Sequence, residues 1–198
     1  MPRRINVLVV GVGGQGLITM SRLLAEAALA KGMDVAAAET HGMSQRGGSV
    51  VVFVRIGERV LSPTFSEGQA DYVLSTELVE TVRNLVYASK KATVVTNTKV
   101  IYPALPNVKP ADPNQLLEFV RKRVAKVIAV PASHIAEEVG NPHATNMVVL
   151  GVASVLLRDY IDTSYLEKAV ASIGKGRIAE ANLAAYRRGI EIALKEVS

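Results

Sequence analysis

Residues 5–16 read INVLVVGVGGQG, a continuous apolar run that ends in a glycine-rich turn. An apolar run bounded by glycine is typical of a strand that helices cover on both faces of a parallel sheet. Leu17 to Lys31 then shows the apolar spacing of a helix and stops at Gly32, which favours a helix C-cap. A second short strand is predicted at residues 34–38. This order predicts a βαβ unit whose loops lie at the carboxyl edge of the sheet.

The pattern after Glu39 departs from a standard dinucleotide-binding fold. A glycine block at residues 39–48 replaces the second helix, and the apolar run 49–56 with the turn Gly57-Glu58 predicts a hairpin into residues 59–61. Further strands are predicted at residues 72–75, 93–96 and 127–130, and further helices at residues 77–88, 112–124, 132–139, 144–158, 164–173 and 177–196. The predicted fold is α/β: a Rossmann-like mixed sheet, mostly parallel with added antiparallel strands, and a helical C-terminal region.

Helix boundaries follow from capping residues. Asp112 precedes Pro113 and is a predicted N-cap, and Ser164 with Glu167 has the spacing of a capping box. Asn146 either caps the apolar helix that follows it or reaches an interface, and the cap is favoured. No linker or internal repeat interrupts the pattern, so we expect one domain over residues 1–198.

Composition excludes several kinds of site. The chain has no cysteine, which rules out disulfides, a cysteine nucleophile and cysteine-ligated zinc or iron-sulfur centres. Its three histidines do not share a metal-binding spacing, so no metal site is expected. The net charge of +5 comes from scattered cations without interleaved aromatic residues, which argues against nucleic acid. The apolar run 147–157 is too short to span a bilayer, and no leader pattern precedes the first strand, so we expect a cytoplasmic protein without a membrane segment.

The first glycine block fits two explanations. Gly11, Gly13 and Gly16 match GxGxxG between a strand and a helix, and Glu39 stands where a ribose-binding acid would be. This pattern favours an NAD or flavin site. Alternatively, the glycines only permit tight packing of the helix on the strand.

The second glycine block is polar and rich in hydrogen-bonding groups. Arg46 is suited to a carboxylate or phosphate, and Ser44 and Gln45 to a polar ligand or a partner backbone. Alternatively, the loop satisfies its own amides, with His41 as a cap and Arg46 paired with Glu39. Nothing in the sequence orients His41 as a base, so proton transfer is not expected there.

The two blocks together resemble a known family. GVGGQG at residues 11–16 followed by ETHGMSQRGGSV at residues 39–50 looks like the gamma-type domain of the 2-oxoacid:ferredoxin oxidoreductases. The similarity is closest to the small, beta subunit in the indolepyruvate branch. It extends over nearly the whole chain, as far as NMVVLG at residues 146–151. The stretch HGMSQRGGSV is the most specific part.

The resemblance implies a role in a larger enzyme. Members of this family decarboxylate a 2-oxoacid oxidatively on thiamine diphosphate, reduce ferredoxin through iron-sulfur clusters and release an acyl-CoA. It implies that thiamine diphosphate, Mg²⁺ and the clusters lie on a larger alpha subunit, and that the isolated chain is inactive. This chain would act with that subunit on a 2-oxoacid such as indolepyruvate, with ferredoxin as acceptor.

The candidate site consists of both glycine blocks, which would contact CoA phosphates, close over the partner's active site or only allow close packing of the subunits. Its residues are Gly11, Gly13, Gly14, Gln15, Gly16, Glu39, His41, Ser44, Gln45, Arg46, Gly47 and Gly48. No catalytic residue is assigned. Two alternatives stay open: a stand-alone NAD- or flavin-dependent oxidoreductase, and a non-catalytic scaffold subunit.

Overall fold

A computed structural model describes residues 4–41, 47–101 and 112–197, and the side chains of residues 41 and 197 are excluded. The strands are β1 (Arg4–Val12), β2 (Asp34–His41), β3 (Ser49–Gly57), β4 (Ala70–Ser75), β5 (Ala88–Asn97) and β6 (Lys126–Val130). The helices are α1 (Leu17–Ala30), α2 (Leu78–Arg83), α3 (Pro113–Arg121), α4 (Ala132–Glu138), α5 (Thr145–Leu156), α6 (Thr163–Ala171) and α7 (Arg177–Val197). Short 3₁₀ turns cover Leu85–Tyr87 and Pro142–Ala144.

The strands form one six-stranded mixed sheet in the order β2-β3-β1-β4-β5-β6. The pairs β1–β4, β4–β5 and β5–β6 are parallel, whereas β3 is antiparallel to both of its neighbours. The predicted mixed sheet and the helical C-terminal region are confirmed. No helix within the described ranges has the length and apolar character needed to cross a bilayer.

Strand β3 changes the predicted βαβ unit. Strands β1 and β2 run in the same direction, but β3 lies between them and pairs with both. An interior position suits its side chains: Val52, Val54 and Ile56 are buried on one face and Phe53 on the other, so β3 is covered on both faces of the sheet. The hairpin therefore joins β2 to β3 across the second glycine block.

Three local predictions were wrong. Residues 59–61 form no strand, and the amide of Val60 instead donates to Asp34 Oδ2 at 2.8 Å. The predicted helix 77–88 ends at Arg83 and continues as a 3₁₀ turn. The N-cap of α6 is Asp162, not Ser164, because its carboxylate accepts the amides of Ser164 at 2.9 Å and Tyr165 at 3.0 Å. The predicted cap Asp112 is confirmed, and it accepts the amide of Asn114 at 2.9 Å.

The helices divide between the two faces of the sheet. Alternate residues of β1 show the division: Val7 and Val9 join the core beneath α1 and α4 to α7, while Leu8 and Val10 join the core beneath α2 and α3. Helix α1 follows β1 and helix α2 follows β4, so neighbouring parallel strands send their helices to opposite faces. Ligand crevices of open α/β sheets lie at the carboxyl ends of such strands. The first glycine block lies at that place.

Helices α5 and α7 cross with their backbones in close contact. A Cβ built on Gly151 would lie 2.0 Å from the carbonyl oxygen of Tyr186, and one on Gly189 would lie 2.1 Å from the carbonyl oxygen of Val148. Neither space is available to a side chain, because the neighbouring atom is backbone and cannot rotate away. The two glycines therefore allow this approach, and Tyr186 is fully buried beside them.

Candidate functional site

The two glycine blocks are joined by backbone hydrogen bonds. The amide of Gly13 donates to the carbonyl of Gly48 at 2.7 Å, and the amide of Gly47 donates to the carbonyl of Gly13 at 3.2 Å. The loop after β1 and the end of the β2–β3 connection therefore form one continuous surface. Ser44, Gln45, Arg46 and the side chain of His41 lie outside the described residues.

A cavity of about 560 Å³ lies where these segments meet the start of α1. It is lined by Gly13, Gly14, Gly16, Leu17, Ile18, Thr19, Glu39 and Val50. Helix α1 begins at Leu17 with Gly16 as its N-cap and no side-chain cap, so its first backbone amides carry the partial positive charge of a helix N-terminus. Ile18 is 56% exposed and gives the cavity an apolar wall beside this polar end. The cavity thus combines an amide end suited to an anion and an apolar wall with the carboxylate of Glu39, which disfavours an anion close to it.

Gly11 makes room for a hydrogen bond inside the protein. Gln15 Oε1 accepts the backbone amide of Val12 at 2.8 Å and the hydroxyl of Thr76 at 2.6 Å. A Cβ on Gly11 would lie 2.1 Å from Thr76 Oγ1 and 2.9 Å from Gln15 Oε1. A side chain at position 11 would therefore displace the contact that folds Gln15 back onto its own loop.

Gly16 makes room for Asn146. The amide nitrogen Nδ2 of Asn146 donates to the carbonyl of Gly16 at 3.0 Å, and this side chain is only 4% exposed. A Cβ on Gly16 would lie 2.4 Å from Nδ2, and the φ angle of +74° also favours glycine. The predicted cap role of Asn146 is wrong: it lies in the first turn of α5, which has no side-chain cap, and it bonds to another loop.

The packing explanation therefore accounts for two glycines of the GxGxxG pattern. The spaces beside Gly11 and Gly16 are filled by polar side chains of this chain. Glycine is needed at these two positions for that packing, whether or not a phosphate binds nearby. Gly14 differs, because it is exposed, has a φ angle of +97°, and no atom lies within 4 Å of a Cβ built there. This position is the part of the loop that is open to a ligand or a partner.

Sequence reasoning missed Thr76, although a signal for it existed. Thr76 directly follows β4 and is fully buried, and its amide donates to the carbonyl of Val10 at 3.1 Å. A polar residue just after a buried strand at the crevice edge is a position where site residues of α/β proteins occur. For Asn146 the signal was a polar amide at the start of an apolar helix, which needs a partner when it is buried.

Two buried carboxylates support the site from the α2 side. Glu77 accepts the amides of Glu80 at 2.7 Å and Ile101 at 2.8 Å, and burial raises the pKa of its carboxyl group. Glu80 accepts the hydroxyl of Ser49 at 2.5 Å and pairs with Arg83 at 2.8 Å. Ser49 directly follows Gly48, so this pair anchors the second glycine block to α2.

No metal centre is visible among residues 4–41, 47–101 and 112–197, which hold no group of three or more potential ligand side chains. His134 lies on α4 with its side chain 71% exposed, 3.2 Å from a carboxylate oxygen of Glu138. His143 is exposed in the 3₁₀ turn before α5. Both histidines are exposed, His134 on a helix and His143 in a short turn.

Comparison with known proteins identifies relatives over the whole chain. The family model for pyruvate ferredoxin/flavodoxin oxidoreductase matches residues 6–192. The indolepyruvate oxidoreductase subunit IorB of Archaeoglobus fulgidus is 40% identical over 194 residues, which cover 96% of this chain and 96% of that protein.

Solved structures share the fold. The gamma subunit of a keto/oxoacid ferredoxin oxidoreductase from Geobacter sulfurreducens superposes with a TM-score of 0.69 at 23% identity and covers 96% of this chain and 99% of that one. A 2-oxoglutarate:ferredoxin oxidoreductase from Magnetococcus marinus, solved with 2-oxoglutarate, coenzyme A and succinyl-CoA bound, gives a TM-score of 0.74 at 21% identity. That match covers 98% of this chain but 31% of the Magnetococcus chain. With its fold, its two glycine blocks and its full-length relatives, the chain belongs to the pyruvate ferredoxin/flavodoxin oxidoreductase family.

Proposed function

We propose that this chain is the small subunit of a 2-oxoacid:ferredoxin oxidoreductase. The observation that carries the proposal is the 40% identity to an IorB subunit across almost the full length of both chains. The reaction of the complex would convert a 2-oxoacid, CoA and oxidised ferredoxin into an acyl-CoA, CO₂ and reduced ferredoxin. The substrate would be an aryl pyruvate such as indolepyruvate, selected mainly by the larger subunit.

The chemistry of decarboxylation and electron transfer would lie on a larger alpha subunit. That subunit would hold thiamine diphosphate, Mg²⁺ and the iron-sulfur clusters. For the clusters the reason is that this chain has no cysteine to ligate them. In the Magnetococcus structure the same fold forms about a third of one longer chain, which supports a close association with other domains. We propose that the chain works in the cytoplasm as one gamma-type domain over residues 1–198, and that it is inactive alone.

The cavity at the start of α1 is our candidate contact for CoA. A phosphate group of CoA is suited to the uncapped amide end of the helix, and the methyl and methylene groups of its pantetheine arm are suited to Leu17, Ile18 and Val50. Arg46 would add a bidentate phosphate contact, as the sequence predicted. The competing proposal is that the same surface packs against the large subunit.

A pair of matched variants separates these two proposals. Ile18→Glu places a carboxylate at the cavity, where it would repel a phosphate, while an acid in the first turn is compatible with α1. Leu29→Glu makes the same kind of change at the far end of α1, where Leu29 is 59% exposed. Both would be coexpressed with the large subunit and assayed for indolepyruvate- and CoA-dependent viologen reduction.

The expected result is an increase of about tenfold in the apparent KM for CoA with Ile18→Glu, at unchanged copurification and with Leu29→Glu unaffected. Loss of copurification with Ile18→Glu alone would instead favour the packing surface. Equal rates with and without the wild-type chain would contradict its role in the complex altogether.

The dinucleotide alternative has one structural point in its favour. Glu39, at the end of β2, lines the same cavity as the start of α1. Thermal shift assays of the isolated chain with NAD, a flavin nucleotide and CoA compare the alternatives directly. A shift with NAD or flavin and none with CoA would favour a stand-alone oxidoreductase.

A further inference from the structure

A closed series of polar contacts begins and ends at the first glycine block, which follows β1, and links it to the strands β4 and β5 and to the helices α4 and α5. It begins with Gln15, whose Oε1 accepts the hydroxyl of Thr76 at 2.6 Å. The carbonyl of Thr76 accepts Nδ2 of Asn97 at 2.9 Å, and the same Nδ2 lies 2.8 Å from Ser133 Oγ. Asn97 is 1% exposed and Thr76 is fully buried. The first part of the series therefore lies inside the protein.

The second part returns to the same loop from the other side. Ser133 also donates its amide to Asn97 Oδ1 at 3.3 Å, and its hydroxyl lies 3.4 Å from that of Thr145. The next residue, Asn146, donates to the carbonyl of Gly16 at 3.0 Å. Because Gly16 directly follows Gln15, the contacts close into a ring, which we call the polar ring.

We propose that the polar ring holds residues 12–16 in the conformation that binds the ligand, with Thr76 and Gln15 as positioning residues. This inference rests on the proposed function for its ligand, CoA. Three observations support it. Two contacts of the ring attach to this loop, at Gln15 and at Gly16. A Cβ built on Gly11 or on Gly16 would strike ring side chains, whereas one on Gly14 would meet open space. The ring thus fixes the loop from behind.

The role differs from general support of the fold. The contact of Thr76 to Gln15 is between side chains, and Gln15 is only half-buried. Its loss would release Gln15 and the amide of Val12 without removing apolar packing. A local change in the loop is therefore expected, with little change in global stability.

The test compares two substitutions at one residue. Thr76→Val keeps the shape of the side chain and removes the hydroxyl, whereas Thr76→Ser keeps the hydroxyl and removes a buried methyl group. We expect Thr76→Ser to lower the melting temperature at least as much as Thr76→Val, since it deletes apolar volume. Amide exchange of the loop and the KM for CoA should instead change only in Thr76→Val, which lacks the hydroxyl.

Amide hydrogen exchange of the full chain is the first measurement. Thr76→Val should speed amide exchange of residues 12–16 by about tenfold, because one hydrogen bond that holds the loop is lost, while Thr76→Ser should exchange at the wild-type rate. Gln15→Met, at a less buried position, should match Thr76→Val and serves if that variant does not fold. Unchanged exchange in Thr76→Val and Gln15→Met would overturn the proposal.

Kinetics of the two-chain complex are the second measurement. Thr76→Val should raise the apparent KM for CoA by about tenfold with kcat and the KM for the 2-oxoacid nearly unchanged, and Thr76→Ser should restore it. Equal KM changes in both variants would show a purely structural effect and overturn the positioning role. Faster loop exchange in Thr76→Val with an unchanged KM for CoA would leave the ring supported and contradict the CoA contact instead.

Discussion

The crossing of α5 with α7 and the first glycine loop both depend on pairs of glycines, but they use them differently. At the crossing, the space beside Gly151 and Gly189 is occupied by the backbone of the facing helix. At the loop, the space beside Gly11 and Gly16 is occupied by side chains of Thr76, Gln15 and Asn146. Backbone cannot move without its helix, whereas a side chain can rotate or be substituted. The crossing should therefore govern stability and the loop should govern the site.

Gly151→Ala should produce the largest effect on the helix side of this comparison. The new methyl group would lie 2.0 Å from the carbonyl oxygen of Tyr186, so α7 would have to move. We expect a loss of about 3 kcal/mol or more in unfolding free energy, measured by chemical denaturation. Gly140→Ala is the control. The φ angle of +86° at this position would strain an alanine, but no atom lies within 4 Å of its Cβ, so this variant should lose only about 1 kcal/mol. Equal losses at the two positions would contradict the backbone contact.

Gly16→Ala should cost less, and its cost should depend on Asn146. Its methyl group would meet Asn146 Nδ2 at 2.4 Å, and the φ angle of +74° adds backbone strain. We expect Gly16→Ala to lower the free energy of unfolding by about 2 kcal/mol in the wild-type background. The loss should be about 1 kcal/mol smaller in an Asn146→Ala background, where the clash is absent. A double-mutant cycle by denaturation measures the difference. Additive losses would show that Asn146 and Gly16 are not coupled, and would place the loop in the same class as the helix crossing.

Glu77→Gln should sharpen the comparison through pH. Burial raises the pKa of Glu77 above its ordinary value of 4.5, so between these two pKa values the folded protein binds more protons than the unfolded chain. Stability from this group therefore falls as pH rises from about 4.5 through the raised pKa. Glu77→Gln removes that dependence, so its stability relative to wild type should improve from pH 4.5 to pH 8.

The control for this pH dependence is Thr81→Val. Thr81 is a buried neutral neighbour whose hydroxyl donates to the carbonyl of Glu77 at 3.0 Å, so its loss should be the same across this range. Denaturation curves at several pH values provide the measurement. A stability difference between Glu77→Gln and wild type that stays constant with pH would exclude Glu77 as the source of this dependence.

Tyr186→Phe should have the smallest effect, although Tyr186 lies at the crossing. The hydroxyl of Ser154 lies near its phenol oxygen but donates to the carbonyl of Gly151 at 2.7 Å, so within the described part of the chain the phenol oxygen has no partner of good hydrogen-bond geometry. Removing an unpaired buried hydroxyl should leave the free energy of unfolding, measured by chemical denaturation, within about 0.5 kcal/mol of wild type or raise it slightly. A loss above about 1 kcal/mol would reveal a polar partner at the crossing.

Much of the sheet could be predicted from local pattern. The apolar runs of β1, β3, β5 and β6 predict buried strands, and the helical spacing of apolar residues in the C-terminal half predicts its helices. The position of β3 could not be predicted, because hydrophobicity shows that a strand is buried without showing its neighbours. The false strand at residues 59–61 has a similar origin: Gly57-Glu58 is a turn signal, but Leu61 is 83% exposed and has no face to cover.

For the candidate site, the sequence indicated the segments involved but not the contacts between them. Sequence identified the two glycine blocks, and the bonds between Gly13, Gly47 and Gly48 bring them together. The sequence did not identify what fills the space beside each glycine, because Thr76 and Asn146 are far from the loop in sequence and reach Gly11 and Gly16, respectively, only through the fold. Arg46, Ser44 and Gln45 stay predictions, since they lie outside the described residues.

The place of β3 between β1 and β2 also has a consequence for the order of folding. The strands β2 and β3 are close in sequence and pair with each other directly. Strand β1 pairs with β3 and β4, which are farther away in sequence, and β4, β5 and β6 are connected through helical crossovers. Nearby pairings lose less chain entropy and form sooner. Pulse-labelled amide exchange during refolding should thus find protection in β2 and β3 before β6. Residues 47–48 of the second glycine block would then be held next to β3 before β4 pairs with β1 beside the first glycine block.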